Sequence, residues 1–208
     1  MEKNIQNLND FYLKTMVFIG FISCLITVAT SVYAPFQVPD YNWISDTISD
    51  LAAGDSELIM DLGIYSLASA QIAVALGTSH LYLDGKRWLG GIICFVLLAV
   101  ITIIIGARNE YGDSDNTGLV IHSYIVPILG VLFTLAPLLF AKGIGTISKK
   151  LKYSLVVLSI IWSISAISFY LVPTQYDGIF ERFLGIIAIS IISLIYYSFL
   201  KAIEIKNK

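Results

Sequence analysis

Long apolar runs alternate with short polar connections along the whole chain, and the length of the runs is the first clue to what they build. Stretches of about 20 apolar residues occupy 12–34, 58–82, 88–107, 118–141, 153–172 and 183–200. At about 1.5 Å of rise per residue, each reaches across a hydrocarbon core roughly 30 Å thick. The pattern predicts an all-α integral membrane protein with six transmembrane helices. The connections "DGKR" after the second run and "KGIGTISKK" after the fourth are short. Neighbouring helices are therefore expected to pack as antiparallel hairpins. No linker or low-complexity stretch divides the chain, so residues 1–208 read as a single six-helix domain.

The first connection, 35–57, has a pattern of its own. Within "NWISDTISDLAAG", Ile44, Ile48 and Leu51 recur at three- and four-residue spacing, and Asp46 and Asp50 fall on another face. This predicts a short amphipathic helix in the loop. Asn42 or Asp40 is its expected N-cap and Gly54 its expected stop, with the Trp43 ring at the headgroup boundary.

Composition agrees with the helical reading and removes other classes. Hydrophobic residues make up 57% of the chain and charged residues 13%, with a mean hydropathy of +0.80, far from the balance of a soluble domain. The leading "MEKNIQNLNDFYLK" carries two acids and two lysines and is followed by no A-x-A pattern, so the first helix is expected to remain uncleaved. If the helices alternate, 11 of the 13 basic residues share one side with 4 of the 15 acids, a balance of +7 against −9 on the other side. The positive-inside rule then places both termini in the cytoplasm of a multi-pass plasma membrane protein. Anionic lipid headgroups suit the basic face, making membrane lipids the expected partners. Scattered lysines in short loops offer no groove for nucleic acid. Cys24 and Cys94 differ in depth, so they are expected to be buried free thiols.

Charge gathers at the other side. Asp46 and Asp50 lie in the first connection, Asp61 about one turn into the second run, and Arg108 at the end of the third. His122 lies about one turn into the fourth, with Pro127 beyond it, and Glu181 and Arg182 open the sixth. Ionisable groups at a membrane boundary must be paired or face water. A guanidinium holds a carboxylate through two parallel bonds, so at least one arginine is expected to clamp Asp46, Asp50 or Glu181. Deeper in the membrane, Gln71 sits among Ser66, Ser69, Ala70, Ala73 and Gly77, which reads as small-residue packing with a polar cross-link. His80, beside Tyr82 and Asp84, reads as an interfacial residue.

"DTISDLAAG" after the first helix, Arg108 at the end of the third, the histidine inside the fourth and "GIFERFLG" opening the sixth together resemble a bacterial and archaeal membrane family catalogued as domain of unknown function 998. The likeness runs through nearly the whole chain and is most specific at Ile48–Leu51 and at Glu181–Arg182. It implies a membrane fold of about six helices with this polar set as its signature. The family name carries no activity.

Three function classes follow. The first is an enzyme or binder open to the outer leaflet, taking a lipid-like or isoprenoid molecule or another hydrophobic or amphiphilic small molecule. There Asp46 or Asp50 would act as acid or base with His122 as partner. Arg108 and Arg182 would anchor an anionic head, and Glu181, Ser49 and Asp61 would line the site. The second is a non-catalytic accessory, immunity or sensor subunit whose polar layer locks the helix ends. A small transporter is third, disfavoured by the lack of mid-membrane charge. Asp46, Asp50, His122 and Glu181 have no metal-ligand spacing and share their layer with two arginines, so neither metal nor cofactor is expected. Ser45 and Ser49 lack a nucleophile elbow.

Overall fold

Among the described residues, six helices are long and apolar enough to cross a bilayer, which makes the chain a multi-pass membrane protein. The computed structural model describes residues 6–52, 55–107 and 121–208, without the side chains of 121–123. In chain order the helices are α1 (Asp10–Tyr33), the short α2 (Ile48–Ala52), α3 (Glu57–Leu81), α4 (Gly85–Ala107), α5 (Ile121–Ile147), α6 (Lys149–Phe169) and α7 (Asp177–Lys206). There is no strand among the described residues. Each spanning helix packs on its successor, and α7 returns to touch α1, α3 and α5.

Close helix approach comes from glycines that face aromatic rings on a neighbour. A side chain at Gly20 would overlap the Tyr196 ring, one at Gly77 the Phe199 ring, and one at Gly91 the Phe140 ring. Between helices already surrounded by apolar lipid, this fit of ring into notch supplies the dispersion contact that drives association. Polar atoms secure the α3–α7 seam and two others, α3–α4 and α1–α3. Trp88 Nε1 donates to Thr78 O at 2.7 Å, Thr27 Oγ1 donates to Gly63 O at 3.0 Å, and Tyr196 Oη donates to Ala70 O at 2.5 Å. Pro127 and Pro137 interrupt the amide ladder of α5, and α6 reaches this stretch through Trp162 Nε1 to Gly130 O (2.9 Å) and Ser159 Oγ to Thr134 O (2.7 Å). Cys24 and Cys94 are buried free thiols, as expected.

Several boundaries differ from the hydropathy pattern. α5 runs on through "KGIGT" to Ile147, and only Ser148 separates it from α6. Extended backbone at Ser148 and its hydroxyl, which accepts from Leu151 N at 3.4 Å, make it an N-cap, so the nine-residue connection collapses to a corner. α7 starts at Asp177, ahead of the apolar run that begins at 183, which places Glu181 and Arg182 in its second turn rather than at its opening. The loop helix is five residues long, and the segment from Asn42 to Thr47 is turn rather than helix. Gly54, its expected stop, lies outside the described residues. The Gln71 cross-link does not form: neither polar atom of its amide has a partner among the described residues.

The start of α1 and the end of α7 lie at one end of the bundle. There Lys206 Nζ bonds Asp10 Oδ1 at 2.8 Å and Leu8 O at 2.7 Å, and Lys142 pairs with Asp84 at 3.0 Å. His80 accepts the Asn9 amide on Nε2 at 2.8 Å and rests against the Tyr12 ring. The opposite end carries the first connection and the start of α7.

Candidate functional site

Residues 38–52 and 55–60 fold back onto the bundle over a small apolar core of their own. Ala34, Leu51, Ala52 and Met60 are buried together, with Val38, Tyr41 and Ile48 packed around them. Asp40 turns the chain with φ of 57°, a conformation aspartate tolerates better than most residues. Asp46 then closes the next turn, accepting the Asn42 amide at 2.8 Å and the Ser45 hydroxyl at 2.7 Å. These two bonds hold its carboxyl below the usual aspartate range.

The start of α2 is built by a reciprocal pair. Thr47 Oγ1 accepts the Asp50 amide at 3.0 Å and Asp50 Oδ2 accepts the Thr47 amide at 2.7 Å, the geometry of a capping box with aspartate in the return position. Thr47, rather than Asn42 or Asp40, is therefore the cap. Ser56 Oγ donates to Leu51 O at 2.7 Å and ties the end of α2 to α3.

Each of two helix starts is completed by the other's segment. The first amides of α7 have no partners within their own helix, and two of them find carbonyls of the first connection: Gly178 N to Ser45 O at 3.2 Å and Ile179 N to Ile44 O at 3.1 Å. In the other direction, Glu181 of α7 accepts the Ile48 amide at the start of α2 and the Ser49 hydroxyl, the latter at 3.0 Å. A carboxylate at a helix N-terminus is favoured by both hydrogen bonding and the helix dipole. Gly178 is required by this closeness, since a Cβ there would collide with the Asp46 carbonyl.

Arg182 lies at the centre. Its Nη1 serves Gly178 O at 2.8 Å, Asp46 O at 2.9 Å and Trp43 O at 3.2 Å, and its Nη2 donates to the Tyr41 hydroxyl. Tyr41 Oη in turn lies 2.8 Å from Asp46 O and 3.0 Å from Thr47 O. The guanidinium carbon is 4.9 Å from the Trp43 ring centroid and 5.4 Å from that of Tyr41, so two π faces flank the charge. Burial raises the Tyr41 phenol above its ordinary value, and the Arg182 bond opposes that rise. The arginine–carboxylate clamp expected of Arg108 or Arg182 is not made by Arg182, and its Arg108 half lies outside the described residues. Arg182 meets Asp46 through the main-chain carbonyl, and no ion pair joins two described residues at this end.

Asp46, Ser49, Asp50, Glu181 and Arg182 thus lie in one bonded assembly or at its edge. Asp61 does not join it. It sits in the second turn of α3, with Oδ1 buried and unbonded among the described residues. Arg108 and the His122 side chain lie outside the described residues. Tyr41, Thr47 and Gly178 were not singled out from the sequence. Thr47 had a signal in the T-x-x-D spacing, whereas Tyr41 and Gly178 become important only through a contact about 140 residues away in sequence. An open cleft bounded by Val38, Tyr41, Asp46, Asp50, Leu51 and Asp55 flanks the assembly. No group of three or more described His, Cys, Asp or Glu residues could hold a metal ion.

The family described as "Protein of unknown function (DUF998)" matches residues 21–197. The chain belongs to it. That match runs from the middle of α1 through most of α7 and includes both halves of the interlocked caps. No curated protein and no solved structure matches the chain. For this DUF998 chain the chemistry of the assembly rests on its geometry: both terminal nitrogens of Arg182 are bonded within the protein while its Nε has no partner among the described residues, and both described carboxylates of the expected acid–base set, Asp46 and Asp50, already accept main-chain amides.

Proposed function

We propose that the chain is a non-catalytic component of the plasma membrane, an accessory, immunity or sensor subunit, with both termini cytoplasmic and the polar assembly as an external lock. The observation that carries this reading is the use made of Arg182 and Glu181. Their bonds go to main-chain carbonyls, a main-chain amide and two hydroxyls of residues 41–49. A group committed to holding backbone is poorly placed to bind and release a substrate. What the lock offers a partner is a rigid surface formed by residues 41–52.

The second reading, a binder or acid–base enzyme for a lipid-like molecule, is favoured by the cleft beside the lock. Its walls join apolar Val38 and Leu51 to Asp46, Asp50 and Asp55, which suits an amphiphile with a cationic head. Native mass spectrometry of the full chain, extracted in mild detergent, separates the readings. The subunit reading expects a stoichiometric protein partner and no retained amphiphile. A small molecule held one-to-one by the wild type and lost in Asp50→Asn, with thermal stability unchanged, would overturn it in favour of the second.

A further inference from the structure

α3 and α4 form an antiparallel pair whose register is marked at two levels. Ile64 lies against Gly106 near one end, and the Thr78 carbonyl meets Trp88 near the other. Ile64, Gln71 and Thr78 are seven residues apart, on one stripe of α3, so Gln71 faces α4 midway between the two contacts. On α4 the matching stripe is Trp88, Phe95 and Thr102. Side chains tilt toward the N-terminus of their own helix, and in an antiparallel pair this brings Gln71 and Thr102 toward each other.

Both residues are buried, Gln71 at 0% exposure and Thr102 at 3%. Gln71 Oε1, Gln71 Nε2 and Thr102 Oγ1 have no hydrogen-bond partner among the described residues. Other hydroxyls in these helices bond back to their own turn, as Thr78 does to Val74 O at 2.7 Å. Gln71 is about 15 Å along its helix from Leu81, a depth at which bulk water and headgroups are out of reach. An amide left unbonded in hydrocarbon is strongly disfavoured, so a partner is required. The amide supplies two donors and one acceptor, and the hydroxyl one of each. The smallest molecule that can both donate to Oε1 and accept from Nε2 or Oγ1 is water.

We propose that Gln71 and Thr102 together hold a buried water molecule in the middle of the membrane, between α3 and α4. The site is independent of the lock and of the function assigned to it.

The test is NMR of the full chain in nanodiscs with labelled glutamine side chains. Only four glutamines are present, and loss of one signal in Gln71→Met assigns the site. If that variant fails to fold, the wild-type glutamine signal most protected from a soluble paramagnetic agent identifies Gln71 instead. The Gln71 amide protons should show a cross-peak to water while the neighbouring backbone amides stay protected, and Thr102→Val should weaken that cross-peak at least twofold. A Gln71 amide with no water cross-peak would overturn the proposal, as would one equally strong in Thr102→Val. Thermal stability provides a second readout. Losing either residue releases the shared water, so the Gln71→Met/Thr102→Val double variant should melt no lower than the less stable single variant. Additive losses in Tm would contradict sharing.

Discussion

The two ends of the bundle solve the same problem with different chemistry. At the end where α1 starts and α7 finishes, charge meets charge: Lys206 with Asp10, both half-buried, Lys142 with Asp84, and the exposed Lys201 and Lys208 with Glu204. At the other end, Arg182 and Glu181 bond mainly to the peptide backbone, and two helix starts complete each other. Exposed lysine pairs tolerate movement and are weakened by salt. Backbone-directed bonds fix one conformation, because the carbonyls and amides they engage cannot move without unfolding the turn that presents them. The first end resembles a seam and the second a latch.

The contrast can be broken most forcefully at the latch. Arg182→Gln removes the guanidinium bonds to three carbonyls and to the Tyr41 hydroxyl and should cost about 3 kcal/mol, read as a lowered Tm in detergent. Arg182→Lys keeps the charge but not the fork, and should recover less than half of that loss. Gly178→Ala drives a methyl into the Asp46 carbonyl and should cost about 2 kcal/mol. Thr47→Ala removes one half of the capping box for about 1 kcal/mol. At the seam, Lys142→Met should cost under about 0.5 kcal/mol, an effect that disappears in 1 M salt, whereas the Arg182→Gln loss should persist there. A salt-sensitive Arg182 effect of the same size as the Lys142 effect would erase the distinction.

The smallest effect concerns pH. Two hydrogen bonds lower the Asp46 pKa in the folded protein, so the stability they contribute is complete above the ordinary aspartate range, about pH 4, and is lost as pH falls through the lowered value. The Tm difference between wild type and Asp46→Asn should therefore hold at neutral pH and shrink below about pH 4. A difference that widened on acidification would contradict the assigned bonds.

How much of this could be read from the sequence follows from which interactions are local. Six spans could be counted because hydropathy is summed over about 20 neighbouring residues, and that sum survives errors at either end. The ends themselves could not. Helical backbone through "KGIGT" and before "GIFERFLG" depends on Ser148 and on carbonyls lent to α7 by residues 44 and 45. Asp46, Ser49, Glu181 and Arg182 could be recognised as belonging together, since uncompensated charge at one membrane boundary has few places to go. Their pairing was misjudged. Matching charges ignores the main chain, which here offers Arg182 three carbonyls, and Glu181 an amide, at fixed positions. Gln71 shows the same blind spot in reverse: its small neighbours suggest a cross-link, but its amide is buried and nothing among the described residues bonds it.

The latch is tested most directly by hydrogen exchange of the full-length protein in detergent, comparing wild type with Arg182→Gln. If Arg182 holds the first connection onto α7, residues 42–49 and 177–181 are protected in the wild type. Both segments should then lose protection together in the variant while α3 and α4 are unchanged. Protection that survives the substitution, or segments that already exchange freely in the wild type, would contradict the account.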